Sequence, residues 1–156
     1  MKVKVGVSNR HIHLCEEDYK LLFGDMEFIK KVDLNQPGEF ASILTVSIKG
    51  DKGQIDNVRV LGPLRSYTQV EISKTDSFKL GVNPPICSSG ELDNASLIKI
   101  IGPKGYIERK SCIIANRHIH FSPEDAAKYG IKDNDLVDVE IASQKPTRYF
   151  DVQVRV

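Results

Sequence analysis

Residues 9–13 read Asn-Arg-His-Ile-His and residues 116–120 repeat these five amino acids, so the two copies contain all four histidines of the 156-residue chain. In an extended strand, side chains two positions apart point to the same face, and the two imidazoles of each copy would lie side by side. On a helix the same spacing would turn the rings about 200° apart. The pattern therefore favours two strands that each offer a metal ion two ligands. These pairs are His11 with His13 and His118 with His120.

The sequence around the two copies repeats as well. Residues 7–14 align with residues 114–121, and an acidic pair follows each copy. A structural hairpin with histidine caps would explain one copy, but two identical copies favour metal. The repeat and the many short alternating stretches predict a mainly β fold, with two pseudo-symmetric small β-barrel lobes and short capping α-helices. The lobes are expected at residues 1–85 and 86–156, and they can exchange strands.

Alternation of apolar and polar residues predicts eight strands besides the two histidine strands. They span residues 2–7, 40–49, 54–61, 67–73, 97–101, 112–116, 136–141 and 149–156. Helices are predicted where capping side chains precede a short segment that ends in glycine. They span residues 16–24, 75–81 and 123–130.

Composition excludes several classes of function. The chain has 22 basic and 21 acidic residues, so its net charge of +1 disfavours nonspecific binding to nucleic acid and indicates a small partner. No apolar run approaches the roughly 20 residues that span a bilayer, and no export signal is visible. The three cysteines, Cys15, Cys87 and Cys112, form no disulfide or metal motif, which predicts a reducing compartment such as the cytoplasm.

A third informative stretch lies between the two copies, at residues 61–73. If residues 67–73 are extended, Gln69 and Glu71 share one face of the strand, and Arg65 stands at its entrance. Taken alone, such a polar face is equally typical of a solvated antiparallel sheet. Beside a histidine pair, however, a carboxylate is a suitable third zinc ligand, and the planar fork of an arginine suits phosphate.

These motifs occur together in one known family. The two histidine copies are joined by Leu-Gly-Pro-Leu-Arg at residues 61–65, Thr-Gln-Val-Glu-Ile-Ser at 68–73, and Val-Asn-Pro-Pro at 82–85 with a Ser-Gly pair at 89–90. In this order they resemble the PduL-type phosphate acyltransferases, also called phosphate propanoyltransferases. The resemblance implies a two-barrel zinc enzyme. Such an enzyme interconverts acyl-coenzyme A (acetyl or propanoyl) plus phosphate with acyl phosphate plus coenzyme A.

The resemblance also implies a role for particular residues. A first zinc ion would bind His11, His13 and Glu71, and a second would bind His118 and His120. Arg65 would hold phosphate. Coenzyme A would lie along Val7, Ser8 and Asn9, with Arg59 as a weaker candidate for contact with its phosphates.

The sequence departs from the family pattern in three places. Members usually continue into a segment with a further histidine ligand, whereas this sequence ends at Val156; water, a neighbouring chain or Cys15 would then take that place, or the first zinc site is incomplete. Residues 86–88 lack the charged side chains common after the proline pair. No N-terminal extension of the kind that targets bacterial microcompartments is seen, so a free bacterial cytoplasmic form is expected. An edge strand can pair with a second copy, which leaves a homodimer open.

Three alternative functions remain open from the residues. His11, His13, Glu17 and Gly24 match the spacing of a cupin, a mononuclear iron or manganese protein. The second copy does not keep this spacing, and Pro123 places Glu124 at a helix start. A dinuclear metallohydrolase would use the same ligands, and a catalytically weak zinc-binding module would need no substrate elements.

Overall fold

A computed structural model describes residues 1–36 and 38–156, and this part of the chain forms eleven strands and three helices. The strands are β1 (His11–Cys15), β2 (Lys30–Asp33), β3 (Phe40–Lys49), β4 (Gln54–Arg65), β5 (Gln69–Glu71), β6 (Ile86–Cys87), β7 (Ser96–Ile101), β8 (Tyr106–Ala115), β9 (His118–His120), β10 (Leu136–Ile141) and β11 (Thr147–Arg155). The helices are α1 (Glu16–Phe23), α2 (Lys74–Leu80) and α3 (Pro123–Tyr129). The predicted mainly β class with short helices is confirmed.

The chain forms two compact units, Met1–Ala115 and Asn116–Val156. In the first unit, strands pair in the order β3-β4-β1-β5-β8-β7, and β7 pairs with β3 to close a six-stranded barrel. Strands β2 and β6 extend this barrel from β3 and β8. Strands that follow residue 85 therefore pair with strands that precede it. The lobe boundary between residues 85 and 86 stays a prediction.

The first unit repeats one pairing pattern. Strand β1 runs parallel to β4 and leads into α1, and β5 runs parallel to β8 and leads into α2. β1 and β5 pair with each other in antiparallel register, as do β3 and β7. Ile12 pairs with Val70 at the centre of the β1–β5 ladder. The first histidine strand therefore lies directly beside the strand that carries Glu71.

Side chains along β1 and β5 alternate between the apolar core and the opposite face of the sheet. Ile12 and Val70 are fully buried in the apolar core of the first unit. Because strand side chains alternate, the residues on either side of them point to the opposite face of the sheet. Those residues are His11, His13, Gln69 and Glu71.

Two hairpin turns support the ends of the first two helices. The backbone N–H of Lys52 donates to the Leu80 carbonyl at the end of α2, and that of Lys104 donates to the Leu22 carbonyl at the end of α1. Both turns begin with glycine, and a Cβ at Gly50 would collide with the same Leu80 carbonyl. These turns satisfy helix carbonyls that would otherwise lack partners.

The second unit pairs β10 antiparallel and β9 parallel to β11. Its helix α3 begins after Ser122, whose hydroxyl accepts from the Asp125 N–H, and Pro123 occupies the first turn. Gly130 ends the helix in the left-handed conformation that favours glycine. Phe121, Ala126 and Val154 form its small buried core.

The strand predicted at residues 2–7 is wrong, because the structure assigns no strand there. The side chains of Val3, Val5 and Val7 are exposed, by 42%, 60% and 98%. Alternation signals a strand only where a neighbouring edge supplies hydrogen bonds, and no strand of the described residues pairs with this segment.

Other strand predictions differ in extent. β3 and β10 have the predicted bounds, whereas β4 extends to Arg65, β5 covers only Gln69–Glu71 and β8 begins at Tyr106. Strands β2 and β6 were not predicted, because both are too short to show alternation. All three predicted helices are confirmed to within two residues. Among the described residues, no helix is long and apolar enough to cross a membrane.

Candidate metal centre

The first histidine pair, on β1, lies beside a carboxylate on the neighbouring strand β5. His11 is paired with Glu71 in the β1–β5 ladder, and 3.4 Å separates His11 Nε2 from Glu71 Oε2. The Asn9 carbonyl lies 2.8 Å from His11 Nδ1. A carbonyl only accepts, so Nδ1 carries the hydrogen and Nε2 is directed toward Glu71. Metal-binding histidines are commonly oriented by such a backbone carbonyl.

The second imidazole completes a compact cluster. His13 is 2% exposed, and its ring meets that of His11 edge to face with centroids 5.2 Å apart. One potential ligand atom from each of His11, His13 and Glu71 lies within 4.8 Å of the others. Within the described part of the chain, no other three histidine, cysteine or acidic side chains meet this criterion. The structure thus gathers these three side chains, and their role as ligands stays a prediction.

Burial and charge shift the pKa values of the two histidines in opposite directions. Burial lowers the pKa of His13 to about 3, and the positive charges of Arg65 and His11 act in the same direction. Burial also opposes the charged form of His11, but the hydrogen bond and negative charge of Glu71 outweigh it and raise the pKa of His11. His13 is therefore a neutral imidazole at neutral pH, whereas His11 holds a proton more readily than a free histidine.

The cluster has the chemistry of a zinc site. Two imidazoles and one carboxylate are a donor set found in catalytic zinc enzymes, where a fourth position is open to water or substrate. His13 Nδ1 is buried and has no hydrogen-bond partner among the described residues. Buried polar atoms without a partner are rare in proteins, so this atom favours a ligand. The residues present therefore fit a metal ion.

Arg65 lies close to the histidine cluster at the end of β4. Its Nη2 donates to Glu39 Oε1 at 2.6 Å, and its Nη1 lies 3.4 Å from the hydroxyl of Ser89. The guanidinium is close enough for its charge to lower the pKa of His13. A charged, partly exposed guanidinium thus lies next to the candidate ligands.

The second copy repeats the local geometry in the second unit. His118 Nδ1 lies 2.7 Å from the Asn116 carbonyl, and the rings of His118 and His120 meet at 89° with centroids 4.9 Å apart. Both side chains are exposed. They face Gln153 and Arg155 on β11 instead of a carboxylate. In the described residues, this pair gains no third ligand of the kind that Glu71 provides.

The residues expected to contact coenzyme A have different surroundings. Val7, Ser8 and Asn9 are exposed and precede β1. The side-chain oxygen of Asn9 accepts from the backbone N–H of the next residue, Arg10, at 2.9 Å. Arg59 is half-buried on β4, and its Nη1 donates to the carbonyls of two residues on β3.

Two other sequence features lie outside the cluster. Glu17 of the cupin pattern is exposed on α1 and is not among the clustered ligands. Burial raises the pKa of the Cys112 thiol to about 12, so this cysteine is not a ready nucleophile.

Sequence reasoning assigned no role to Gln69 or Glu39. Gln69 is fully buried and donates to Glu71, and Glu39 pairs with Arg65. Gln69 and Glu71 lie two positions apart and so share one face of the strand, and this spacing could have indicated a role for Gln69. Glu39 lies in the connection between β2 and β3, and no local pattern connects it with Arg65.

A mainly β barrel with two histidines and a carboxylate on adjacent strands defines a candidate metalloprotein. A sequence model of the family described as phosphate propanoyltransferase matches residues 4–156. A phosphate propanoyltransferase of Thermotoga maritima is 53% identical over 155 residues, which cover 97% of this chain and 74% of that protein. One from Rhodopseudomonas palustris is 48% identical over 157 residues, covering 99% and 70%. The chain belongs to the phosphate propanoyltransferase family, a family of acyltransferases.

Proposed function

We propose that the protein transfers an acyl group, acetyl or propanoyl, between coenzyme A and phosphate in a zinc-dependent reaction. Family membership supports the acyl transfer to phosphate. The observation that carries the metal-dependent mechanism is the cluster of His11, His13 and Glu71 next to Arg65. An anion-binding fork beside a set of metal ligands suits a phosphate nucleophile.

The chain would hold the metal through side chains of both copies. His11, His13 and Glu71 would bind one zinc ion, and His118 and His120 would contribute to a second. A zinc ion held there would supply Lewis acidity for polarising a carbonyl or phosphoryl oxygen. The Asn9 and Asn116 carbonyls keep the Nδ1 hydrogens of His11 and His118 in place, so that each Nε2 is available as a ligand.

Arg65 would bind and orient phosphate. Glu39 and Ser89 contact different nitrogens of its guanidinium and hold the fork in one orientation. The charge of Arg65 favours the phosphate anion near the thioester. A phosphate oxygen then attacks the thioester carbonyl carbon, the carbon–sulfur bond breaks, and coenzyme A leaves with the electron pair as a thiolate.

The leaving group needs little help from an acid. A thiol with a pKa of about 8.5 departs as an anion and then takes a proton from water. No covalent acyl-enzyme is required, which agrees with the raised pKa of the buried Cys112 thiol. Burial and the charge of Glu91 also raise the pKa of Cys87, so it is a poor nucleophile at neutral pH.

Coenzyme A would lie along Val7, Ser8 and Asn9, because this exposed segment leads directly into the first ligand, His11. Arg59 is a weaker contact, since backbone carbonyls already occupy its Nη1. A bacterial cytoplasmic location and pairing of two copies through an edge strand belong to the same proposal.

The test is release of thiol from propanoyl-coenzyme A with and without phosphate, by wild type and Arg65→Lys. Lysine keeps the charge but loses the fork, so we expect kcat/KM for phosphate to fall about 10- to 100-fold. Arg148→Lys is the matched control, because Arg148 is also ion-paired but lies in the β10–β11 hairpin. Equal release of thiol without phosphate would instead indicate a hydrolase and contradict the proposal.

A further inference from the structure

Gln69 is a fully buried polar side chain beside the candidate ligands. It pairs with His13 in the β1–β5 ladder and lies two positions before Glu71 on the same face of β5. A buried amide is stable only if its donors and acceptor find partners. The role of Gln69 therefore follows from the groups that its amide contacts.

The orientation of the Gln69 amide follows from one backbone contact. The N–H of Gly90 lies 2.7 Å from Gln69 Oε1, and a backbone N–H only donates. The oxygen must therefore face Gly90, and the NH₂ group must face the other side. It donates to Glu71 Oε1 at 2.6 Å and to the Ser89 hydroxyl at 2.8 Å. Both of its hydrogens are used.

Gly90 can make this contact because it is glycine. Its φ of +96° is a conformation that other residues rarely adopt, and a Cβ there would lie 3.2 Å from the hydroxyl of Tyr67. Ser89, one position earlier, also lies 3.4 Å from Arg65 Nη1. Gln69 therefore joins three parts of the site: the Glu71 carboxylate, the loop at residues 88–90 and, through Ser89, Arg65.

We propose that Gln69 is a positioning residue, which fixes the Glu71 carboxylate for metal binding and fastens the 88–90 loop to it. This role rests on the proposed function, because it requires that Glu71 bind a metal ion. Partners that orient a ligand typically contribute 10- to 100-fold to metal affinity. Loss of the Gln69 amide should weaken zinc binding by about this factor while Glu71 itself remains.

The experiment measures zinc affinity by competition with a chromogenic chelator, using the whole chain. Gln69→Met keeps the length of the side chain and removes all three hydrogen bonds. Ser89→Ala removes one of these contacts and leaves Gly90 paired, so it tests the same role if Gln69→Met does not fold. Its affinity should lie between those of wild type and Gln69→Met.

Thr68→Val is the matched control. Thr68 precedes Gln69 and is buried, and its hydroxyl donates to Asp18 at 2.6 Å and accepts from the Cys15 backbone N–H. Its loss should lower the melting temperature without changing zinc affinity. A purely structural role for Gln69 predicts the same behaviour for Gln69→Met.

The outcomes separate this role from the proposed function. Zinc affinity reduced in Gln69→Met and Ser89→Ala but not in Thr68→Val would support it. Equal zinc affinity of wild type and the folded Gln69 and Ser89 variants would overturn the role of Gln69 and leave the proposed function standing. Absence of zinc binding by wild type would overturn both.

Discussion

The two Asn-Arg-His-Ile-His copies have the same local geometry in different surroundings. In both, an asparagine carbonyl lies within 2.8 Å of the first histidine Nδ1, and the two rings meet nearly at right angles. The first pair is largely buried and faces Glu71, whereas the second is exposed and faces Gln153 and Arg155. Five residues thus determine the arrangement of the two histidines. The neighbouring strand determines whether a carboxylate lies beside them.

Loss of the carboxylate should have the largest effect. Glu71→Gln keeps the shape and the contact with Gln69 but removes the charge, and we expect phosphate-dependent thiol release to fall by about 10³-fold or more. Glu124→Gln changes an exposed acid after the second copy and should retain wild-type turnover. Substantial turnover in Glu71→Gln would show that the third ligand does not distinguish the copies.

The next largest difference between the copies should be in how much a histidine contributes to the free energy of unfolding. His13→Ala empties a buried position and should lower the free energy of unfolding by about 1 to 3 kcal/mol, measured by urea denaturation of metal-free protein. His118→Ala changes an exposed side chain and should alter it by less than about 0.5 kcal/mol. Equal losses in the two variants would mean that burial is not what differs between the copies.

Protonation gives a third distinction. His13 has a folded pKa of about 3, below its ordinary value of 6.5, so the unfolded chain binds a proton below pH 6.5 that the folded chain does not. This difference must therefore lower the free energy of unfolding as pH drops below 6.5, by up to about 1.4 kcal/mol per pH unit. The raised pKa of His11 acts in the opposite direction, because the folded chain holds this proton more readily than the unfolded chain, and its contribution levels off below the ordinary value of 6.5.

Urea denaturation of metal-free protein between pH 6.5 and 5 measures this slope. His13→Gln should remove it, whereas His118→Gln should leave it unchanged. An identical slope in wild type and His13→Gln would contradict a buried, neutral His13.

The smallest effect should be the same in both copies. The side-chain oxygens of Asn9 and Asn116 each accept from the next backbone N–H at 2.9 Å, and we expect this contact to restrain the backbone whose carbonyl meets the histidine. Asn9→Ala and Asn116→Ala should each reduce kcat/KM by up to about tenfold. Asn116→Asp keeps the acceptor and serves as the control, because the proposed coenzyme A segment includes Asn9 but not Asn116. An effect of Asn116→Ala much larger than that of Asn9→Ala would contradict this prediction.

Much of the site could be predicted because its determinants are local. Strand parity placed Gln69 and Glu71 on one face, and capping residues such as Ser122 and Pro123 located the helices. Both signals depend only on residues a few positions apart.

The remainder depends on contacts between residues distant in sequence. Gly90 reaches Gln69, and Glu39 reaches Arg65, through loops whose sequences carry no periodic signal. Only the family resemblance brought Glu71 to His11 and His13, because no local pattern predicts the pairing of β1 with β5, two strands that are far apart in the chain. Residues 2–7 show the converse error, since their alternation was present without an edge to pair with.

The most direct test of the account is the metal dependence of turnover. The chain is stripped with a chelator, and thiol release from propanoyl-coenzyme A is then measured with phosphate, before and after zinc is returned. If zinc is required, we expect no turnover in the stripped chain, recovery with zinc, and about two bound ions per chain at full activity. Full phosphate-dependent turnover in the metal-free chain would contradict the account.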